Sequence, residues 1–356
     1  MGASLQRKVK GSVITVLSRL LFSLPDGLLT RIFGRPPEVA AGLRPDAWAF
    51  CRLTAMIEEK AAATNPVAMR IETDMLAIAV SDRTAFPVVT RDFDLGTGGS
   101  SLPVRLYRPQ AAPAAGPLMV YFHGGGWVVG SLESHDRSLR RLAHKTGSRI
   151  LAVDYRLGPE DMFPAAPDDA LAAWNAVVAD PAKFGADPDL IAVGGDSAGG
   201  NIAAVLCQDL RAAGRPQPAF QMLIYPVVEI GSTWPSYESF ATGYYLTRDR
   251  MNWYDAHYVA GNDGREVRAS PILAKDFSGL APAYITTALA DPLRDEGEAY
   301  AQRLIDAGVD VTHDRFPLVH AWFNQTVSRS SKAAHEVLAS RIKAMFASAR
   351  LLNTMR

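Results

Sequence analysis

Cysteine is almost missing from this chain of 356 residues: Cys51 and Cys207 are the only two. They form no C-x-x-C pair and have no histidine at a metal-ligand spacing, which argues against a disulfide framework and against a zinc site and leaves two buried free thiols as the reading. Net charge is missing too, with 37 basic residues against 37 acidic ones. Nothing in the bulk charge therefore favours nucleic acid or a strongly charged substrate, and the expected ligand is a small, weakly charged molecule. No apolar run reaches the roughly 18 residues that a membrane span requires. There is also no internal repeat and no long low-complexity tract, which excludes solenoids and propellers.

What is present is a chain that is 48% hydrophobic, enough for one large core with an accessory part. At the N-terminus Arg7, Lys8, Lys10, Arg19, Arg31 and Arg35 face one acid, Asp26, and an apolar stretch begins at Val13. Arg19 interrupts it and no A-x-A site follows, so it does not read as a signal peptide, and a cytoplasmic protein is expected. Val13, Val16, Leu17, Leu20, Leu21 and Leu24 instead share the spacing of one helical face. The bland reading of that amphipathic helix is packing on the rest of the protein; a lid over an apolar site or a peripheral membrane contact is the sharper one.

After the turn-rich stretch Gly96–Pro103, short apolar runs alternate with helical patterns. Strands are expected at Val88–Leu95, Val104–Arg108, Leu118–Phe122, Ile150–Tyr155, Leu190–Gly194, Phe220–Tyr225, Ala283–Ala288 and Val311–Phe316. Helices are expected at Asp136–Lys145, Asp168–Val178, Ala198–Ala213, Arg294–Ala307 and Ser331–Ala349. Continuous runs such as "LMVYFH" and "LIAVGG" suit strands buried on both faces. The class is α/β: a mostly parallel eight-stranded sheet flanked by helices, opened by an antiparallel pair. Between Pro226 and Ala281 an aromatic stretch with no clear strand is too long for an ordinary connection and reads as a helical insertion.

Chemistry enters at "GGDSAGG", where Gly195, Ser197 and Gly199 fit G-x-S-x-G between a strand and a helix. Those glycines permit a sharp turn that lifts the serine hydroxyl clear of the sheet. Such a serine needs a base, and the base an acid to fix its tautomer. Of His257, His313, His320 and His335, only His320 lies in a loop just beyond the last strand, where a base can reach back over the sheet. Asp291 follows the strand at Ala283–Ala288, at its carboxyl end, where open α/β sheets build sites. Its rivals Asp295 and Glu296 fall in the first turn of the next helix, where acids commonly serve the helix dipole. "HGGGW", His123 to Trp127, brings backbone N–H groups for a developing oxyanion, together with that of Ala198. A dinucleotide loop through Gly124, Gly126 and Gly130 is one residue too long. The S-x-x-K pattern at Ser340 and Lys343 stands in the wrong order relative to K-T-G at Lys145–Gly147.

Taken together, "YFHGGGWVVGSLESHD", "VDYRLGPEDMFPAAPDDA", "GGDSAGGN", "DPLRDEG" and the final "VH" occur in the order seen in the hormone-sensitive lipase family of α/β-hydrolases, the bacterial family IV esterases, and the chain resembles that family from about Val88 onward. The resemblance implies Ser197 as nucleophile, Asp291 as acid and His320 as base. It implies Gly125, Gly126 and Ala198 as oxyanion donors, with His123 and Gly124 shaping the loop and Gly195 and Gly199 the elbow. It further implies no cofactor and no metal, a small ester substrate, and a homodimer as one form its members take. By this reading residues 1–75 form an N-terminal cap segment, 76–226 and 281–356 the hydrolase core, and 227–280 the cap insertion. Two departures stand out. Ala321 and Trp322 replace the usual Gly-Phe after the histidine, and an alanine tolerates positive φ less well, which leaves that loop's path open. "RLGPEDM" replaces the commoner Ala-Pro-Glu-His-Pro, with Arg156, Glu160 and Asp168 read as ion-pair or turn residues. The activity implied is that of a serine carboxylesterase acting on short- to medium-chain esters. Amidase, thioesterase or lactonase activity on the same triad is the alternative, because the elbow does not encode the leaving group. A non-catalytic ligand-binding protein on this fold would have lost the base, which His320 argues against.

Overall fold

The structure, a computed structural model, describes residues 19–58, 65–96 and 101–354. Eight strands form a single sheet: β1 (Val88–Asp94), β2 (Pro103–Pro109), β3 (Gly116–Phe122), β4 (Arg149–Val153), β5 (Ala186–Asp196), β6 (Gln221–Ile224), β7 (Ala283–Ala290) and β8 (Val311–Val319). Their spatial order is β1-β2-β4-β3-β5-β6-β7-β8. β2 runs antiparallel to both β1 and β4, and every later pairing is parallel. All eight expected strands are present, including the antiparallel opening.

The period of two along each strand divides the core. On β3, Leu118, Val120 and Phe122 enter one cluster, while Met119 and Tyr121 enter the other. The first cluster is covered by α5 (Ala165–Ala179), α6 (Ala198–Ala212) and α9 (Arg294–Asp306); the second by α2 (Pro45–Glu58), α4 (Leu132–Thr146) and α10 (Arg329–Thr354). Helices on both faces leave the inner strands β3 to β7 little polar side, which is why they read as apolar runs. The carboxyl ends of β3, β5 and β7, and the loop after β8, then open on the same edge of the sheet.

Among the described residues, α1 (Asp26–Phe33), α2 and α3 (Pro66–Ala79) precede the sheet, after a helical stretch at 19–23. The expected amphipathic helix is described only from residue 19 onward, so Val13, Val16 and Leu17 lie outside the described residues. In the helical turn 19–23 Leu20 is 62% exposed, against the expected buried face, while Phe22 is 2% exposed and packs 6.5 Å from the Phe50 ring. The cause is local: Arg329 donates to the carbonyls of Phe22 and Leu24, and Pro25 follows at once, so the short turn is oriented by its end.

The stretch 227–280 is divided. Its first part holds α7 (Pro235–Ser239) and α8 (Arg248–Tyr258). Its second part lies back on the core, where Ala269, Ile272, Ala274 and Phe277 join the cluster under α6 and α9. Asn201 Nδ2 donates to the Ala269 carbonyl at 2.9 Å and Arg303 Nη2 to that of Ala274 at 2.9 Å. The "RLGPEDM" charges are spent on ion pairs, Arg156 with Asp161 and Asp169 and Glu160 with Arg70 of α3, and Asp168 further on pairs with Arg268.

Candidate active site

β5 ends at Asp196 and α6 begins at Ala198, so Ser197 alone makes the reversal from strand to helix. It does so at φ 56° and ψ −121°, a conformation that costs a side-chain-bearing residue about 1–3 kcal/mol and persists only where its surroundings impose it. The surroundings are tight: the Ser197 N–H donates to the Ile224 carbonyl at 2.8 Å, and a Cβ on Gly199 would overlap the Phe122 carbonyl. Glycine at that position is therefore a matter of space, and the chain reverses sharply from strand to helix there.

Three side chains meet there. His320 Nε2 lies 2.9 Å from Ser197 Oγ, and His320 Nδ1 lies 2.8 Å from Asp291 Oδ2. Asp291 is fully buried; its Oδ1 accepts from the Leu293 N–H at 2.9 Å, which fixes the carboxylate plane. His320 is presented by the residue after β8, where Ala321 takes the left-handed conformation at φ 59° and ψ 20°. The path left open by the loss of glycine is thus the glycine-like one, held by Trp322 and Phe323, which are both fully buried. His257 sits on α8, His313 within β8 and His335 on α10, and none of the three is bonded to Ser197 or Asp291.

The rivals of Asp291 have other tasks. Asp295 Oδ2 accepts from the Ser236 N–H at 2.8 Å. Glu296 is fully buried and accepts from the Val228 N–H at 2.7 Å and from Tyr237 Oη at 2.7 Å. Burial pushes the Glu296 carboxyl up to about 8, against the hydrogen bonds from Tyr237, Val228 and Glu229 that lower it. Both acids therefore do more than complement a helix dipole: they tie the start of the 227–280 stretch to α9.

The loop His123–Trp127 follows β3 and turns back beneath α3 and α8. His123 stacks on Tyr155 at 4.4 Å, its Nδ1 lies 2.9 Å from the Gly124 carbonyl, and its own carbonyl accepts from Tyr155 Oη at 2.7 Å. Burial, reinforced by the nearby His135, lowers the His123 imidazole to about 4, so it is neutral at neutral pH and acts as a packed ring. Gly125 stands at φ 130°, and a side chain there would run into the Val129 carbonyl. The Gly124 N–H is committed to Asp196 Oδ1 at 2.9 Å. Those of Gly125, Gly126 and Ala198 have no hydrogen-bond acceptor among the described residues. Tyr254 of α8 covers Gly126 so closely that a Cβ there would overlap its ring. Around it Met69, Val128, Val129 and Trp253 form one apolar cluster, and Tyr237, Leu246, Met251 and Leu293 another. Two distant segments, α3 and α8, thus close over the same loop. Among the described residues no group of three His, Cys, Asp or Glu could hold a metal ion, and no helix is long and apolar enough to cross a membrane.

Sequence reasoning passed over Asp196, although it stands beside the serine in "GGDSAGG". It also passed over His135, Tyr121 and Tyr225, which surround that carboxylate. The available signal was an acid in an otherwise apolar strand end, where an unpaired carboxylate would be costly.

Residues 119–324 match the family described as having the alpha/beta hydrolase fold. The carboxylic ester hydrolase LipN of Mycobacterium tuberculosis is 42% identical over 228 residues, covering 62% of this chain and 60% of LipN. An ethyl acetate hydrolase of Pseudomonas putida is 42% identical over 241 residues, 64% of this chain and 76% of that enzyme. Among solved structures, an ester hydrolase from the metagenome of Lake Arreo, complexed with a bipyridine phosphonate derivative, superposes with a TM-score of 0.82 at 38% identity, covering 86% of this chain and 99% of that one.

Proposed function

Because this chain belongs to the α/β-hydrolase family, in its hormone-sensitive lipase branch, we propose that it is a serine carboxylesterase acting on short- to medium-chain esters through an acyl-enzyme. The observation that carries this is the unbroken hydrogen-bonded series from Ser197 Oγ through His320 to Asp291. In the proposed mechanism Ser197 Oγ attacks the ester carbonyl while His320 Nε2 takes its proton. Asp291 holds Nδ1–H, which keeps the Nε2 lone pair turned to the serine and stabilises the imidazolium that forms. The Gly125, Gly126 and Ala198 N–H groups receive the oxyanion; each such donor contributes roughly 2.7–4 kcal/mol to the transition state. His320 then passes its proton to the departing alcohol, and water, activated by the same imidazole, releases the acid. No cofactor enters any step.

The cap reading assigns residues 1–75 and 227–280 to the substrate pocket, whose walls are the apolar clusters built on α3 and α8. Apolar, aromatic walls favour an uncharged acyl chain, and Tyr254 seated against Gly126 limits its length. A p-nitrophenyl ester series from acetyl to palmitoyl tests this. The highest kcat/KM is expected between butyryl and octanoyl, with a fall of about tenfold or more at palmitoyl. A maximum at lauroyl or beyond would contradict the length limit.

A further inference from the structure

Behind the triad lies a second acid–imidazole pair that the proposed mechanism does not use. The Asp196 side chain is 3% exposed and that of His135, on α4, is 4% exposed; His135 Nε2 is 3.1 Å from Asp196 Oδ1. The same oxygen accepts from Tyr121 Oη at 2.7 Å and from the Gly124 N–H at 2.9 Å, while Oδ2 accepts from Tyr225 Oη at 3.3 Å. Burial alone would raise this carboxyl, but His135 and the bonds from His135, Tyr121 and Gly124 hold it below its ordinary range, so it is ionised at neutral pH.

Ser134 Oγ directs its proton to the Ser131 carbonyl and lies 2.9 Å from His135 Nδ1, so it faces that nitrogen as an acceptor. Asn324 Nδ2 also lies 2.9 Å from Nε2. His123, Tyr121, Tyr155, Tyr225 and Asp74 are the remaining titratable groups that face the pair.

The three parts of the active site converge on this carboxylate. Asp196 immediately precedes the nucleophile. Through the Gly124 N–H it holds the loop that carries the oxyanion donors. Through Tyr225 it holds the base, because the Tyr225 ring packs 4.6 Å from the His320 ring and edge-on, at 5.9 Å, against that of Trp322 in the turn after the base. Tyr225 stands at φ 36°, a strained position for a tyrosine and one that fits a placement fixed by its ring and hydroxyl contacts.

We propose that Asp196, balanced by His135, is a positioning residue for the reaction: its carboxylate fixes the oxyanion loop and the base loop to the nucleophile elbow. This rests on the carboxylesterase reading above. A carboxylate that only stabilised the fold would affect the amount of folded enzyme; one that fixes these three parts affects the turnover of each folded molecule. Oxyanion donors strengthen their bonds in the transition state, so their displacement lowers kcat and spares KM.

The test compares wild type, Ser197→Ala, Asp196→Asn, Tyr225→Phe and the double variant Asp196→Asn with His135→Gln on p-nitrophenyl butyrate, with kcat expressed per active site titrated by a phosphonate, except for Ser197→Ala, which the phosphonate cannot label and whose kcat is expressed per folded chain. Asp196→Asn is expected to lose about 100-fold in kcat, with KM within about twofold, and Tyr225→Phe about tenfold. Adding His135→Gln to Asp196→Asn is expected to cost less than about twofold more, since the pair is already broken. A loss below tenfold in Asp196→Asn, or below threefold in Tyr225→Phe, overturns the proposal, as does a rise in KM at unchanged kcat. If Asp196→Asn does not fold, Tyr225→Phe decides alone. If wild type hydrolyses no ester, or Ser197→Ala matches it, the carboxylesterase reading falls and takes this inference with it; if both behave as expected and Asp196→Asn equals wild type, only the positioning role falls.

Discussion

Replacing Ser197 by alanine lowers kcat by about 10⁴-fold or more, while the thermal midpoint stays within about 2 °C of wild type. The two halves of this expectation come from different atoms. In the proposed mechanism the hydroxyl oxygen is the attacking atom, and its bond is to His320 Nε2 at 2.9 Å, so removing it removes the nucleophile. The backbone at φ 56° is held by the Ser197 N–H on the Ile224 carbonyl and by close packing of Gly199 on Phe122, and alanine keeps both. Steady-state assays paired with a thermal melt check it. A variant with wild-type turnover would mean that another group attacks the ester.

Asp291→Asn is the second large effect, a loss of about 10⁴-fold in kcat. The carboxylate accepts from His320 Nδ1 on Oδ2 and from the Leu293 N–H on Oδ1. Because Oδ1 must go on accepting from Leu293, an amide turns its NH₂ toward Nδ1. Nδ1 must then accept, the proton moves to Nε2, and the imidazole meets Ser197 with a hydrogen instead of a lone pair. The chemistry fails although the shape survives. Asp295→Asn, by contrast, is expected to keep kcat within about threefold, since its carboxylate faces the Ser236 N–H and Arg294. Measuring the two variants side by side separates the acid from its neighbour in sequence.

Much of this architecture was legible because the inner strands, β3 to β7, are buried on both faces. β3 reads as one apolar run, and the residues that bear chemistry stand just past the ends of β3, β5, β7 and β8, where a sequence motif and a strand end coincide. The misreadings are local and physical. β8 was expected to stop at Phe316, before Pro317, yet it continues to Val319. It is the last strand of the sheet, so proline's missing N–H can face away from the ladder. α4 begins at Leu132, earlier than expected, through a capping box of Ser131 and Ser134 that lacks the usual Glu or Gln. Leu20 was placed on a buried face by periodicity, but Arg329, far along the chain, fixes that turn with Phe22 inward.

The network around Asp196 was illegible for a different reason. Its partners come from β3, α4 and the loop after β6, and no spacing along the chain announces that they meet. The same holds for Glu296, whose role in tying the 227–280 stretch to α9 depends on Val228 and Tyr237 folding back onto it. Motifs identify residues that act on substrate; residues that act on those residues emerge only when distant elements are brought together.

The central claim is that Ser197 forms a covalent acyl-enzyme, and the most direct measurement is the mass of the protein after reaction with a p-nitrophenyl phosphonate. The tryptic peptide Phe184–Arg211 contains Ser197 as its sole serine, together with Cys207. One phosphonyl group per chain is expected, located by fragmentation on Ser197, absent from Ser197→Ala and formed more slowly in His320→Ala. An unmodified peptide in the inactivated wild-type enzyme, or the group on Cys207, would contradict the account.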